Sequence, residues 1–109
     1  MIKQKELIEK MKIINEEYLG WDNVINRVST NFEGVYRDEI GYFEEYFVKA
    51  EYKDKKVYFI KREYYFNQKK AYTCYFRTDE NKVMLDTFKD IEWFENGDFH
   101  RDYGWNDLD

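Results

Sequence analysis

Two different periods run along this chain. Residues 2–18 place Leu7, Met11, Ile14 and Tyr18 at spacings of four, three and four, with Ile8 alongside and Lys5, Glu9, Lys12 and Glu16 opposite. That spacing predicts an amphipathic helix. Gly20 stands where such a helix would stop, and Asp22 is suited to cap a short second helix carrying Trp21, Val24, Ile25 and Val28 on one stripe. Residues 1–30 are therefore expected to be helical. Residues 30–41, with two glycines and mixed polarity, read as a loop with room for a short strand at 35–37.

From Tyr42 the apolar residues recur at every second position. Three polar clusters, Lys53-Asp54-Lys55-Lys56, Asn67-Gln68-Lys69-Lys70 and Asp79-Glu80-Asn81-Lys82, interrupt that alternation at hairpin intervals. Four antiparallel strands follow, at 42–53, 56–67, 70–78 and 82–88. Folding each cluster symmetrically sets Tyr52 against Val57, Phe66 against Ala71 and Thr78 against Val83. One face then collects Val48, Ala50, Tyr52, Val57, Phe59, Tyr65, Tyr72, Cys74, Phe76, Val83 and Leu85, and this is the face expected beneath the helix. Glu44, Lys61 and Glu63 are its misfits, and charged groups on a covered face mark either a paired network or a site. A shift of one residue would place Arg62, Arg77 and Asp86 under the helix at a cost of several kcal/mol per unpaired charge. The opposite face carries Phe43, Phe47, Ile60, Tyr64, Phe66, Tyr75, Met84 and Phe88 among charges of both signs. That is more apolar area than a monomer usually leaves wet.

Beyond Lys89, the Asn96-Gly97 turn signal predicts a short hairpin that opposes Trp93 to His100 and Phe94 to Phe99. The expected fold is α+β: an N-terminal amphipathic helix and a short second helix packed on an antiparallel meander of four to six strands. A single domain of 109 residues divides into a helical segment 1–30, the meander 42–88 and an acidic aromatic tail 89–109. A leading helix followed by such a meander resembles the cystatin grip or a shortened NTF2-like cone. The resemblance is architectural. The central Gln-Val-Gly loop of the cystatins has no counterpart at Lys53 to Lys56, and no function is carried over.

Composition changes the picture in two ways. Charged residues make up 38% of the chain, which alone would favour disorder, but 21% aromatics supply the surface for a folded core. Eleven tyrosines, nine phenylalanines and three tryptophans are also suited to surfaces that are wet and adhesive together. The net charge is −5, with residues 51–70 basic and 71–109 strongly acidic. An acidic chain is poorly suited to nucleic acid, whose binding comes mainly from Lys and Arg on phosphates. No run of 18 apolar residues and no cleavable leader is visible, so no membrane association and a cytoplasmic address are expected.

Candidate chemistry is sparse. His100 and Asp102 could share a strand face as an acid–base pair, yet no nucleophile is placed beside them. The lone Cys74 lies on the expected core face, where a thiol resists ionisation. The acids near Asp79, Glu80 and Asp86 lack the glycine and closing glutamate of a calcium loop, and no glycine-rich loop is present to cradle phosphate. Neither enzyme activity, nor a metal, nor a cofactor is expected. The leading expectation is a small acidic protein-binding module that inhibits or neutralises another protein, such as a toxin or a defence nuclease with a basic surface. Phe47, Arg62, Tyr64, Tyr75, Asp86, Phe88, Glu92, Trp93, Glu95, Asp98 and Trp105 are its candidate contact residues. The alternatives are an NTF2-like small-molecule-binding protein or small enzyme, using Glu44, Lys61 and Glu63, and a structural homodimer.

Overall fold

The structure, a computed structural model, describes residues 4–30, 32–85, 92–95, 98–101, 105 and 108. In chain order these form α1 (Gln4–Glu9), β1 (Lys12–Ser29), β2 (Tyr36–Tyr52), β3 (Lys55–Phe66), β4 (Lys69–Thr78), β5 (Glu92–Glu95) and β6 (Asp98–Arg101). β1 to β4 make one antiparallel meander in the order β1-β2-β3-β4, and β5 pairs with β6. The described chain is mostly β with one short helix.

The largest correction concerns residues 12–29. They form an 18-residue strand instead of the expected helices, and α1 has only six residues. β1 pairs with β2 along almost its whole length, from Lys12 opposite Glu51 to Ser29 opposite Tyr36. The helical spacing was produced by two interruptions in a strand. The register slips between Ile13 and Asn15 and again between Tyr18 and Gly20, leaving Ile14 and Leu19 as extra residues. Each extra residue exchanges the faces, so apolar positions that alternate locally appear three or four apart across a bulge. Gly20, at φ 128°, supplies backbone freedom at the second slip. β-branched and aromatic residues, Ile13, Ile14, Tyr18, Trp21, Val24, Ile25 and Val28, agree with the strand.

β3 and β4 lie close to their expected places, whereas β2 begins at Tyr36, six residues before the expected 42, so most of the expected loop at 30–41 is strand paired with β1. Lys53 and Asp54 both take left-handed angles, φ 48° and 65°, as do Asn67 and Gln68 at 53° and 63°. Each pair is therefore the centre of a tight two-residue hairpin. Tyr52 faces Lys55 and not Val57, a shift of two that leaves the expected faces of β2 and β3 intact. On β4 the faces reverse. Tyr65 pairs with Lys70 but Tyr64 pairs with Tyr72, so Ala71 is an extra residue. Tyr72, Cys74 and Phe76 consequently join Tyr64, Arg62 and Ile60 on the outer face, where Cys74 and Phe76 are still buried, while Tyr75 and Arg77 turn to the core side. Arg77 is accommodated there with its guanidinium 5.5 Å from the Trp105 ring centroid, an attraction a bare charge in the core would lack.

Of the expected strand 82–88, the structure shows an isolated bridge from Thr78 to Met84. Val83 and Leu85 are exposed and not part of the core; residues 86–88 lie outside the described residues. The β5–β6 hairpin has the expected register, with Trp93 opposite His100 and Phe94 opposite Phe99. The turn at 96–97 lies outside the described residues.

The core gathers Val48, Ala50 and Tyr52 of β2 with Val57 and Phe59 of β3. Leu7 of α1, Met11, Trp105 and Leu108 complete it, and Phe59 lies 5.4 Å from the Trp105 ring. This core occupies one end of the sheet. At the other end, β2 residues before Gly41 pair with β1 beyond the last β3 partner, Phe66, so a two-stranded arm extends past the sheet. Thr30 closes its tip, its hydroxyl donating to the Val35 carbonyl at 2.8 Å and accepting from the Phe32 amide at 3.2 Å. The Cα extents, 51 × 30 × 22 Å, reflect the resulting elongation.

Candidate functional site

Three groups of side chains emerge from this register. The first lies on the core side of the sheet, beyond the core itself, and contains the three charges that disagreed with a covered face. Lys61 sits 2.9 Å from Glu16 and 3.5 Å from Glu63, and Lys70 lies 3.4 Å from the other oxygen of Glu63. Tyr65 donates its hydroxyl to Glu63 at 2.8 Å, and Tyr46 donates to Glu44 at 2.9 Å. The Lys61 ammonium also stands 4.8 Å from the Tyr46 ring centroid. Of the two alternatives for these charges, Lys61 and Glu63 form a paired network.

Its electrostatics follow from those contacts. The hydrogen bond to Glu44, aided by burial, pushes the Tyr46 phenol up to about 12. Glu63 does the same to Tyr65 more strongly. Burial works against the charge on Lys61, but the Glu16 and Glu63 carboxylates outweigh it and its pKa is raised. Burial would likewise raise Glu63; the Tyr65 hydroxyl and the two lysines overcome it and hold the carboxyl below its ordinary value.

The second group is the outer face, where three expected contact residues come together. Arg62 donates to Glu45 through Nε at 2.8 Å and through Nη2, and to the Tyr64 hydroxyl through Nη1 at 3.2 Å. Its guanidinium is layered between rings, 4.2 Å from Phe43 and 5.1 Å from Phe76. Burial disfavours the Arg62 charge, but Tyr64 and Glu45 raise its pKa on balance. Tyr64 stacks on Tyr72 at 4.6 Å, and Phe47 stacks on Tyr58 at 6.0 Å with Lys82 above it at 5.3 Å. Phe43, Phe47, Tyr58, Arg62, Tyr64 and Tyr72 are half-buried, Phe76 is buried, and these side chains are occupied with one another.

The remaining expected contacts are scattered. Tyr75 lies on the opposite side, edge-on to Phe59, and burial raises its phenol pKa. Trp105 is 3% exposed in the core, so it anchors the tail instead of offering a ring to solvent. Glu92, Trp93, Glu95 and Asp98 fall on the β5–β6 hairpin, whose β6 lies beside β4. Asp86 and Phe88 lie outside the described residues.

The third group was missed because its residues were assigned to helices and a loop. Trp21 at the base of the arm and Ile25, Phe32, Tyr36 and Ile40 of the arm itself are all exposed, Ile25 at 66%, Phe32 at 73% and Ile40 at 74%. Ile25 and Ile40 are direct cross-strand partners, and Trp21, Tyr36 and Tyr42 project from the same side. Arg27 and Asp38, paired at 3.3 Å, leave this face electrically neutral between them. Near its base, Trp21, Tyr42 and Glu44 line an open depression of about 270 Å³. The signal available in the sequence was the β-branched and aromatic content of residues 18–28.

No known family matches this chain. Neither the curated proteins nor the solved structures give a match. Among the described residues no helix is long and apolar enough to cross a membrane, and no three His, Cys, Asp or Glu side chains converge as metal ligands.

Proposed function

We propose that this chain is a cytoplasmic protein-binding module that inhibits or neutralises another protein, making contact through the β1–β2 arm. The observation supporting it is the exposed row of Trp21, Ile25, Tyr36, Ile40 and Tyr42 on one side of the arm and its base. Exposed portions of such side chains add up to on the order of 600 Å² of mainly apolar surface, at or above the largest patch of a typical monomer. A two-stranded ribbon reaching beyond its core can enter a cleft that a flat sheet cannot. The acids on β5 and β6, Glu92, Glu95 and Asp98, add a field that favours a partner with a basic surface and speeds encounter. A nucleic-acid enzyme, whether a toxin or a defence nuclease, has such a surface.

The test uses the immobilised protein to capture partners from the native host lysate, with Ile25→Asp/Ile40→Asp as control. Both residues are exposed, so the fold is retained. A protein held by the wild type and released by the double variant supports the proposal; identical retention by both removes the arm as the contact. A second reading, a homodimer, draws on the neutrality of the arm face. A wild-type mass in solution of twice the chain, reduced to one chain by the same variant, would establish it in place of a foreign partner.

A further inference from the structure

We propose that Trp21, Tyr42 and Glu44 form a receptor for an organic cation, the ammonium or guanidinium head of a lysine or arginine presented by a protein partner. The inference rests on the proposed protein-binding role and adds to it the chemistry of one contact. Trp21 and Glu44 face each other directly in the β1–β2 register, and Tyr42 lies two residues along β2 on the same side of the sheet. The Trp21 and Tyr42 rings meet at 81° with centroids 6.5 Å apart, so they make two perpendicular walls of the depression, and Glu44 makes a third. Tyr65 stacks behind Tyr42 at 4.9 Å and 11°, which fixes the orientation of that wall.

The charge inventory says what the site lacks. Glu16 and Glu63 hold Lys61, Glu63 also holds Lys70, and Glu45 holds Arg62. Glu44 accepts a hydroxyl from Tyr46, but no cation is paired with it among the described residues. The nearby lysines, Lys61 and Lys70, are committed to other carboxylates. A half-buried carboxylate beside two aromatic faces attracts a cation twice over, through its own charge and through the ring quadrupoles. With a volume of about 270 Å³ the depression suits one side-chain head better than a whole cofactor. Its place at the base of the arm puts it where a partner gripping Ile25 and Ile40 would also reach it.

The experiment is an NMR titration of the full chain with Nα-acetyl-argininamide and Nα-acetyl-lysinamide, at ionic strength matched with NaCl. Nα-acetyl-norleucinamide serves as the neutral control. Saturable shifts of the Trp21 indole N–H with the basic amides, and none with the neutral one, are expected. Trp21→Ala, followed through the backbone amides of Tyr42 and Glu44, should abolish binding, and Glu44→Gln, which keeps an acceptor for Tyr46 while removing the charge, should weaken it roughly 2- to 5-fold. Absence of saturable shifts, equal binding of the neutral amide, or unchanged affinity in Glu44→Gln would overturn the proposal. Should these probes fail while lysate capture still depends on Ile25 and Ile40, the cation site falls and the protein-binding module stands.

Discussion

Strand β2 begins in solvent and ends in the core, and its two halves show what turns an apolar strand into a buried one. Tyr36 and Ile40, in the first half, are 58% and 74% exposed, whereas Val48 and Ala50, in the second, are fully buried. Both halves place apolar residues on the same side of the sheet, although Asp38 interrupts the first. The difference is what lies against them. Leu7, Met11, Trp105 and Leu108 cover the second half, and the arm face of the first half is left to solvent. Apolar alternation therefore sets the side of a strand, while covering elements decide whether that side is core or contact surface.

The sharpest way to break this comparison is to truncate one residue in each region. Phe59→Ala, in the covered half, should lose about 3–5 kcal/mol of stability, since the ring fills the space between β3, Tyr75 and Trp105. Ile40→Ala, in the arm, should stay within about 0.5 kcal/mol. Denaturant unfolding of both variants checks it, and comparable losses would mean that the arm is structural.

Between the two halves stands Gly41, and a smaller effect is expected there. It pairs with Phe66, whose ring crosses the space a Cβ would occupy, and that Cβ would also meet the Tyr65 carbonyl oxygen. Backbone cannot move aside as a flexible side-chain tip can. Gly41→Ala should therefore cost about 1–3 kcal/mol and loosen the junction of arm and sheet. Thermal unfolding together with amide exchange at Phe66 reads both effects; an unchanged midpoint would show that the arm bends freely at this point.

How much of this was legible in the sequence depended on bulges. β2 and β3 alternate without interruption, and their faces, with Val48, Ala50, Tyr52, Val57 and Phe59 inward, followed from the pattern alone. So did the pairing of β5 with β6, because Asn96-Gly97 admits few registers. One extra residue at Ala71 was enough to send Tyr72, Cys74 and Phe76 to the other side. Two such residues, Ile14 and Leu19, gave β1 the spacing of a helix, which hid the arm. The candidate site divided in the same manner. Glu44, Lys61 and Glu63 stood out because β2 and β3 were read correctly, whereas Trp21, the other wall of their neighbourhood, belonged to the strand that was not.

The mildest intervention is a change of pH, which acts on the Tyr46–Glu44 and Tyr65–Glu63 pairs directly. Tyr46 and Tyr65 have folded-state pKa values above their ordinary 10.0, Tyr46 at about 12. Their contribution to stability is complete below pH 10 and is lost as pH rises toward the folded value, since the unfolded chain releases those protons first. Lys61, raised above 10.5, acts in the same direction. Glu63, held below 4.5, acts at the other end, its contribution present above that value and lost on acidification. Spectrophotometric titration of tyrosinate should show a late component that is reduced in Tyr46→Phe and again in Tyr65→Phe, with buried Tyr75 contributing the remainder. If Tyr46→Phe leaves the late component unchanged, the hydrogen bond to Glu44 does not hold in solution, and the carboxylate at the base of the arm is free to turn elsewhere.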